Sequence, residues 1–210
     1  MEGFTTESHK KIERLLKEPL PGPPAQYKMA PVERHGQPTD RQTRRAGVMV
    51  LLYSHQQRLQ TILIRRTVYD GVHSGQISFP GGKMETDDDN LSDTALRETH
   101  EEIGISAQSI RIMGLLTPLY IPVSNNLVQP VLGALIDRPH LIREPKEVDR
   151  IYEISIDELL QPGALIQNES IRENNRHIKA PFYKYNGLQI WGATAMILSE
   201  FLELYRKSLF

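Results

Sequence analysis

Two apolar runs separated by a short polar stretch constrain this chain most: Gly47-Val-Met-Val-Leu-Leu-Tyr53 and Thr61-Ile-Leu-Ile64. Neither alternates apolar with polar residues, so each is expected to be a strand buried on both faces rather than one with a wet side. Joined by a polar turn, they predict a strand pair inside a sheet that other elements cover. Further strands are expected near Ile110 to Leu116, Leu127 to Ile136, Val148 to Ile154 and Phe182 to Trp191, the last broken by a hairpin turn at Asn186-Gly187. Helices are expected over Asn90 to Ile103, where Gly104 ends the helix, over Asp157 to Leu160 and over Ala193 to Lys207. The fold class is α/β: a mixed sheet sandwiched between helices, with no internal repeat.

Ahead of the first strand, Ile12, Leu15 and Leu16 fall at helical spacing, which predicts a short amphipathic helix from about Thr5 to Lys17. Pro19, Pro21, Pro23, Pro24 and Pro31 disfavour helix and central strand, so this stretch reads as an extended connector. Residues 1–45 are therefore expected to be a helix and connector packed on a core domain of residues 46–210. Arg41, Arg44 and Arg45, at the junction, read as a solvated strand edge rather than a phosphate site.

The chain has no cysteine, which excludes disulfides, thiolate-bound zinc and cysteine nucleophiles, so any metal must sit on oxygen or imidazole. A net charge of -1 provides no field to gather polyanions, and nucleic acid is not an expected partner. No stretch approaches the roughly 20 apolar residues of a membrane span, so a cytoplasmic protein without membrane contact is expected.

The candidate chemistry lies on the helix ending Leu96-Arg97-Glu98-Thr99-His100-Glu101-Glu102-Ile103. At about 100° per residue, Glu98, Glu101 and Glu102 fall on one face and converge, while Leu96, Thr99 and Ile103 gather on a neighbouring face that can be buried. Like charges so spaced repel, and a divalent cation reverses that penalty. Oxygen ligands suit Mg²⁺ or Mn²⁺, which can neutralise a diphosphate and activate water. A bare Glu-x-x-Glu-Glu is more often a solvated acidic face, so spacing alone does not carry the assignment. Other motifs are missing: position 104 is Gly104 and not the second His of a zincin, and neither Gly-x-Ser-x-Gly nor a Walker loop occurs.

The stretch from Gly82 to Ile105, with Arg97-Glu98-Thr99-His100-Glu101-Glu102-Ile103-Gly104-Ile105, resembles the Nudix box. The gap from Gly82 to Arg97 is one residue longer than usual, which leaves Asp88 and Asp89 as alternative partners of Arg97. The resemblance implies a Nudix α/β/α fold and a metal-dependent diphosphatase. It implies a metal site of Gly82, Glu98, Glu101 and Glu102, with Arg97, Glu101, Glu102 and Glu147 in catalysis. As general base, Glu101 comes first and Glu147 second.

Upstream, Leu63-Ile-Arg-Arg66 and His73-Ser-Gly-Gln-Ile-Ser-Phe-Pro-Gly-Gly82 are similar to the signature of the coenzyme A diphosphatases of that superfamily. Leu119 to Asn125, Gln129 to Gly133, Glu147-Val148 and Trp191 to Thr194 are similar to its later segments. The implied substrate is coenzyme A or an acyl derivative, cleaved to 3',5'-ADP and 4'-phosphopantetheine, with Arg65, Arg66, His73, Gly75, Gln76 and Lys83 as substrate-binding residues. A homodimer is a compatible assembly. The subfamily usually has an arginine two residues before the His, where this chain has Gly71. That departure keeps a second reading open, a hydrolase of another nucleoside diphosphate derivative such as a dinucleotide or an ADP-sugar. A non-catalytic nucleotide-binding module is the third, and loss of box carboxylates, its expected mark, is not seen.

Overall fold

The computed structural model describes residues 6–31, 43–68, 74–167, 170–173 and 176–209. His73 and Gly71, singled out above, lie outside the described residues, as does Arg41. In chain order the elements are α1 (Thr6–Leu15), α2 (Gly22–Gln26), β1 (Arg44–His55), β2 (Arg58–Arg66), β3 (Ile77–Ser78), β4 (Gly81–Lys83), α3 (Leu91–Ile103), β5 (Arg111–Leu115), β6 (Leu119–Ile121), β7 (Asn126–Ala134), β8 (Val148–Ser155), α4 (Ile156–Leu159), β9 (Leu165–Ile166), β10 (Ser170–Glu173), β11 (Arg176–Lys179), β12 (Phe182–Tyr185), β13 (Leu188–Trp191) and α5 (Gly192–Ser208).

The two apolar runs become β1 and β2, an antiparallel pair with Leu52 opposite Thr61 and His55 opposite Arg58. β1 is the spine of the main sheet, whose order is β3-β2-β1-β7-β5, with β4 also on β1, β6 on β7 and β8 on β2. β1 and β7 run parallel, from Arg44–Asn126 to Leu52–Ala134, and the remaining pairs are antiparallel, so the sheet is mixed as expected. On one face Met49, Leu51, Tyr53, Ile62 and Ile64 pack with Ala95 and Ile103 of α3. On the other, Val50, Leu52 and Leu63 pack with Met196, Phe201 and other residues of α5, and with Ile12 of α1. Burial on both faces explains why the central runs of β1 and β2 do not alternate apolar with polar residues. Among the described residues no helix is long and apolar enough to cross a membrane.

The boundaries of α3 follow from its sequence. Asn90 caps it by accepting from Ser92 N at 2.8 Å and Asp93 N at 3.2 Å, and Gly104 ends it in the left-handed conformation. α3 also lies unusually close to β1: a Cβ on Gly47 would meet Leu91 O at 2.3 Å, so only glycine lets the start of the helix lie there. The hairpin at Asn186-Gly187 is present, both residues having positive φ.

The proline-rich stretch differs from expectation. It is not an extended connector throughout but forms α2 and a following 3-10 turn, Tyr27–Met29. Pro23 and Pro24 fall near the helix start, where a missing N–H breaks no helical bond. The short helix is held from outside itself. Glu200 of α5, fully buried, accepts from Gln26 Nε2 at 2.8 Å, from Gly22 N at 3.2 Å, and from Thr117 through N at 3.2 Å and Oγ1 at 2.6 Å. One carboxylate thus joins α2, the segment before β6 and α5. Replacing Glu200 with Ala removes the acceptor of Gly22 N and of both Thr117 donors, leaves Gln26 Nε2 only Thr117 O, and is expected to lower the urea-unfolding free energy by about 3 kcal/mol. A loss below about 0.5 kcal/mol would mean that α2 is held by apolar packing alone.

Candidate active site

The site is built where α3 crosses β4. Glu102 has no solvent exposure, and its carboxylate accepts from Gly81 N at 2.8 Å and Arg66 Nη1 at 3.2 Å. Arg66 also donates to Gly81 O at 3.3 Å, so arginine, loop and helix form one unit. Burial pushes the Glu102 carboxyl up to about 7 against the opposing pull of Arg66 and Gly81, and the charges of Glu98 and Glu147 raise it further.

One turn back, Glu98 lies over Gly82: a Cβ there would fall 2.2 Å from Glu98 Oε1. Gly82 is therefore the floor of a cradle that any other side chain would fill. Burial raises the Glu98 carboxyl, with Arg97 opposing. Glu101 is the wet member of the group, its side chain 51% exposed against 12% for Glu98 and 0% for Glu102. The three acids are thus graded from core to solvent rather than set side by side along one edge. Among the described residues no trio of acids closes on one point: Arg97 holds Glu101 outward at 2.9 Å while reaching Glu98 at 3.2 Å.

Arg97 is anchored on its other side by Asp88, through Nε to Oδ1 and Nη2 to Oδ2, both at 3.0 Å. Of the two aspartates left open by the sequence, Asp88 is the partner. Its hydrogen bonds from Arg97 hold its carboxyl at about 2, and Thr94 Oγ1 and Glu85 N also donate to it. Lys83 contributes its carbonyl, which accepts from Arg97 Nη2 at 3.0 Å, while the residue itself is exposed.

The other sequence candidates separate. Arg65 and Arg66 are adjacent on β2, and successive strand residues leave on opposite faces. Arg65 lies over the Tyr152 ring at 5.5 Å, with Asp149 at 3.9 Å, whereas Arg66 turns to Glu102. Gly75 and Gln76 border the end of β2, Gly75 N donating to Thr67 O and Gln76 O accepting from Arg66 N. Glu147 follows a turn that is tied to α3, Glu144 N donating to Glu102 O at 3.1 Å, which brings its charge to Glu102 across 45 residues of sequence. Sequence reasoning missed Gly81, whose N–H holds Glu102. The signal was present in the Gly81-Gly82 pair, whose first member serves the last acid of the box, Glu102, as its second member serves the first, Glu98.

Chemically this is an oxygen-only donor set of two sunken carboxylates and a half-exposed third that Arg97 holds. Burying Glu98 and Glu102 together with a single partly buried arginine against each is unfavourable. A hard divalent cation fits such a set, because it offsets the burial and prefers oxygen.

The NUDIX domain pattern matches residues 43–174, well over half of the chain. The Nudix hydrolase NudL of Photorhabdus laumondii is 34% identical over 139 residues, 66% of this chain and 73% of its own length. The mitochondrial coenzyme A diphosphatase of Homo sapiens is 32% identical over 160 residues, 75% of this chain and 64% of the human protein, so the match spans just under two thirds of that relative. Among solved structures, the Nudix hydrolase RenU from M. smegmatis superposes with a TM-score of 0.53 at 11% identity, over 79% of this chain and 87% of that one. The MutT protein from Methanosarcina mazei gives 0.52 at 14% identity, over 78% and 95%. At such identities the two structures bear on the fold alone.

Because Glu102 takes up a proton on folding between its ordinary 4.5 and about 7, the metal-free protein is expected to lose stability as pH rises through that window. Glu102→Gln removes this dependence. In chelator, its unfolding free energy relative to wild type should rise by about 3 kcal/mol from acidic to mildly alkaline pH. A difference that stays flat across the range would refute the burial of a titrating carboxyl at this position.

Proposed function

We propose that this chain, which belongs to the Nudix hydrolase family, cleaves the diphosphate of coenzyme A or an acyl derivative, releasing 3',5'-ADP and 4'-phosphopantetheine. The observation that carries the hydrolytic chemistry is the pairing of Glu98 and Glu102 over the Gly81-Gly82 turn, with both acids raised by burial. The choice of substrate is supported by similarity to the human mitochondrial coenzyme A diphosphatase over 160 residues and by the sequence of the His73 to Gly82 segment.

Nudix hydrolases use divalent cations; Mg²⁺ or Mn²⁺ is proposed here. Glu98, Glu101 and Glu102, with the Gly82 backbone, would hold the cation. When bound, the cation neutralises the diphosphate and activates a water for attack at phosphorus. Arg97, fixed by Asp88, orients Glu98 and Glu101. Arg66 keeps Glu102 turned toward the Gly81 N–H. Glu101 is the first choice for the base that takes the proton of the attacking water, and Glu147 the second. Attack breaks one phosphorus–oxygen anhydride bond, and the leaving phosphate departs with that oxygen.

Arg66 is engaged by Glu102 and Arg65 by Tyr152, whereas Lys83 is exposed, so Lys83 is the more available of these three proposed cations for substrate phosphate. Gly71, in place of the usual arginine, favours a second reading, hydrolysis of another nucleoside diphosphate derivative.

Product analysis with coenzyme A, NADH and ADP-ribose, each with Mg²⁺ or Mn²⁺, tests the assignment. Metal-dependent 3',5'-ADP and 4'-phosphopantetheine should form faster than any other product, and preference for another compound would discard the coenzyme. Glu101→Gln should lower kcat by about 100-fold or more with an unchanged circular dichroism spectrum. Near-normal turnover in that variant would sink its role as base.

A further inference from the structure

The last residues of β2 reach both acids of the site from adjacent positions. Arg66 presents its guanidinium to the Glu102 carboxylate. Thr67, the next residue, leaves the strand and holds the segment carrying Glu147 twice: its N–H donates to Glu147 O at 2.9 Å, and its hydroxyl donates to Lys146 O at 3.0 Å. That segment is a strap with a second attachment. Ile142 N donates to Ile103 O at 3.0 Å and Glu144 N to Glu102 O at 3.1 Å, so the strap also caps the C-terminal carbonyls of α3. Between the two attachments Glu144 O accepts from Glu147 N at 3.2 Å and from Val148 N at 2.9 Å, closing a tight turn. Glu147 is therefore gripped at its N–H from the α3 side and at its carbonyl from the β2 side.

We propose that Thr67 is a positioning residue that sets Glu147 against Glu102, an inference that rests on the functional reading above, taking from it Glu147, the second choice of base, as a participant in the reaction. The physical argument concerns leverage. Glu147 is exposed and lies outside α3, so no helical bond fixes its distance from the box acids. Its place is decided by the strap, and Thr67 is the side chain that ties the strap to the strand whose preceding residue holds Glu102. The register irregularity between Arg65 and Arg66, where β2 pairs with β8, falls at this point: Arg65 opposes Arg150 while Arg66 opposes Val148, the residue after Glu147. Because the hydroxyl bond is exposed to water, its removal is expected to loosen the strap without unfolding it.

Three proteins decide the matter: wild type, Thr67→Val, which keeps the shape and loses the hydroxyl, and Thr67→Ser, which keeps the hydroxyl. Each is measured by steady-state kinetics on coenzyme A with Mn²⁺ and by amide hydrogen exchange at Glu147 and Val148. Thr67→Val should lower kcat by about tenfold while KM changes less than about twofold, as a misplaced group requires. Exchange at both amides should quicken by about fivefold. Thr67→Ser should restore both. A valine variant with wild-type kcat, or a loss that serine does not restore, overturns the assignment. If the wild type turns over neither coenzyme A nor related diphosphates, the substrate reading fails and the exchange rates alone decide. Unchanged protection in Thr67→Val then overturns the anchoring, and faster exchange restored by serine upholds it.

Discussion

A carboxylate shut away from water is an expensive thing to build, and Glu102 sits at the junction of every element that forms the site. Its oxygens are held by the Gly81 N–H and the Arg66 guanidinium, which together oppose a burial strong enough to push its carboxyl up to about 7. Three separate pieces of chain are thereby fixed to one another: the end of β2 through Arg66, the turn entering β4 through Gly81, and the last turn of α3. Where Glu102 goes, Glu98 follows one turn earlier, and the cradle over Gly82 is set by the same crossing.

That crossing is possible because the backbone is bare where the layers meet. Gly47 on β1 lets the first turn of α3 rest on the strand, and Gly82 on β4 receives the Glu98 carboxylate. β4 pairs with β1 at these same positions, Gly47 opposite Gly82, so two strands lose their side chains at one spot, on the face covered by α3. A helix carrying three acids can then lie close against a largely apolar sheet face.

The charges are handled by a division of labour between two arginines. Arg66 serves the buried acid and Arg97 serves the outer pair, and Arg97 is itself held by Asp88, whose carboxyl stays at about 2 under its hydrogen bonds. Both guanidiniums are thus engaged with protein, and a phosphorylated ligand must find its neutralisation in a bound cation and in the remaining exposed basic groups. The net charge of -1 agrees with this, because local rather than global attraction is what a small diphosphate substrate needs.

What the sequence determined by itself is what depends on neighbours along the chain. The apolar runs of β1 and β2, the Asn90 cap and Gly104 stop of α3, the Asn186-Gly187 hairpin and the acidic spacing on α3 were all legible, because periodicity, capping and turn conformation are set within a few residues. What only the tertiary structure decided depends on which elements become neighbours. α2 forms within a proline-rich stretch because Glu200, far along the chain, satisfies its donors. Glu98, Glu101 and Glu102 share a helical face yet differ from buried to half-exposed, since the Gly81-Gly82 turn lies against Glu98 and Glu102 and Glu101 stays open to solvent. Arg65 and Arg66 look equivalent in sequence, and the strand sends one to Tyr152 and the other to Glu102. Asp88 is chosen over Asp89 by the fold of the preceding loop, and Glu147 is brought to Glu102 by the turn tied to α3 through Glu144 N and to Thr67 beyond β2. Each of these is a long-range contact whose free energy is gained only after chain closure, and no local pattern of residues encodes it.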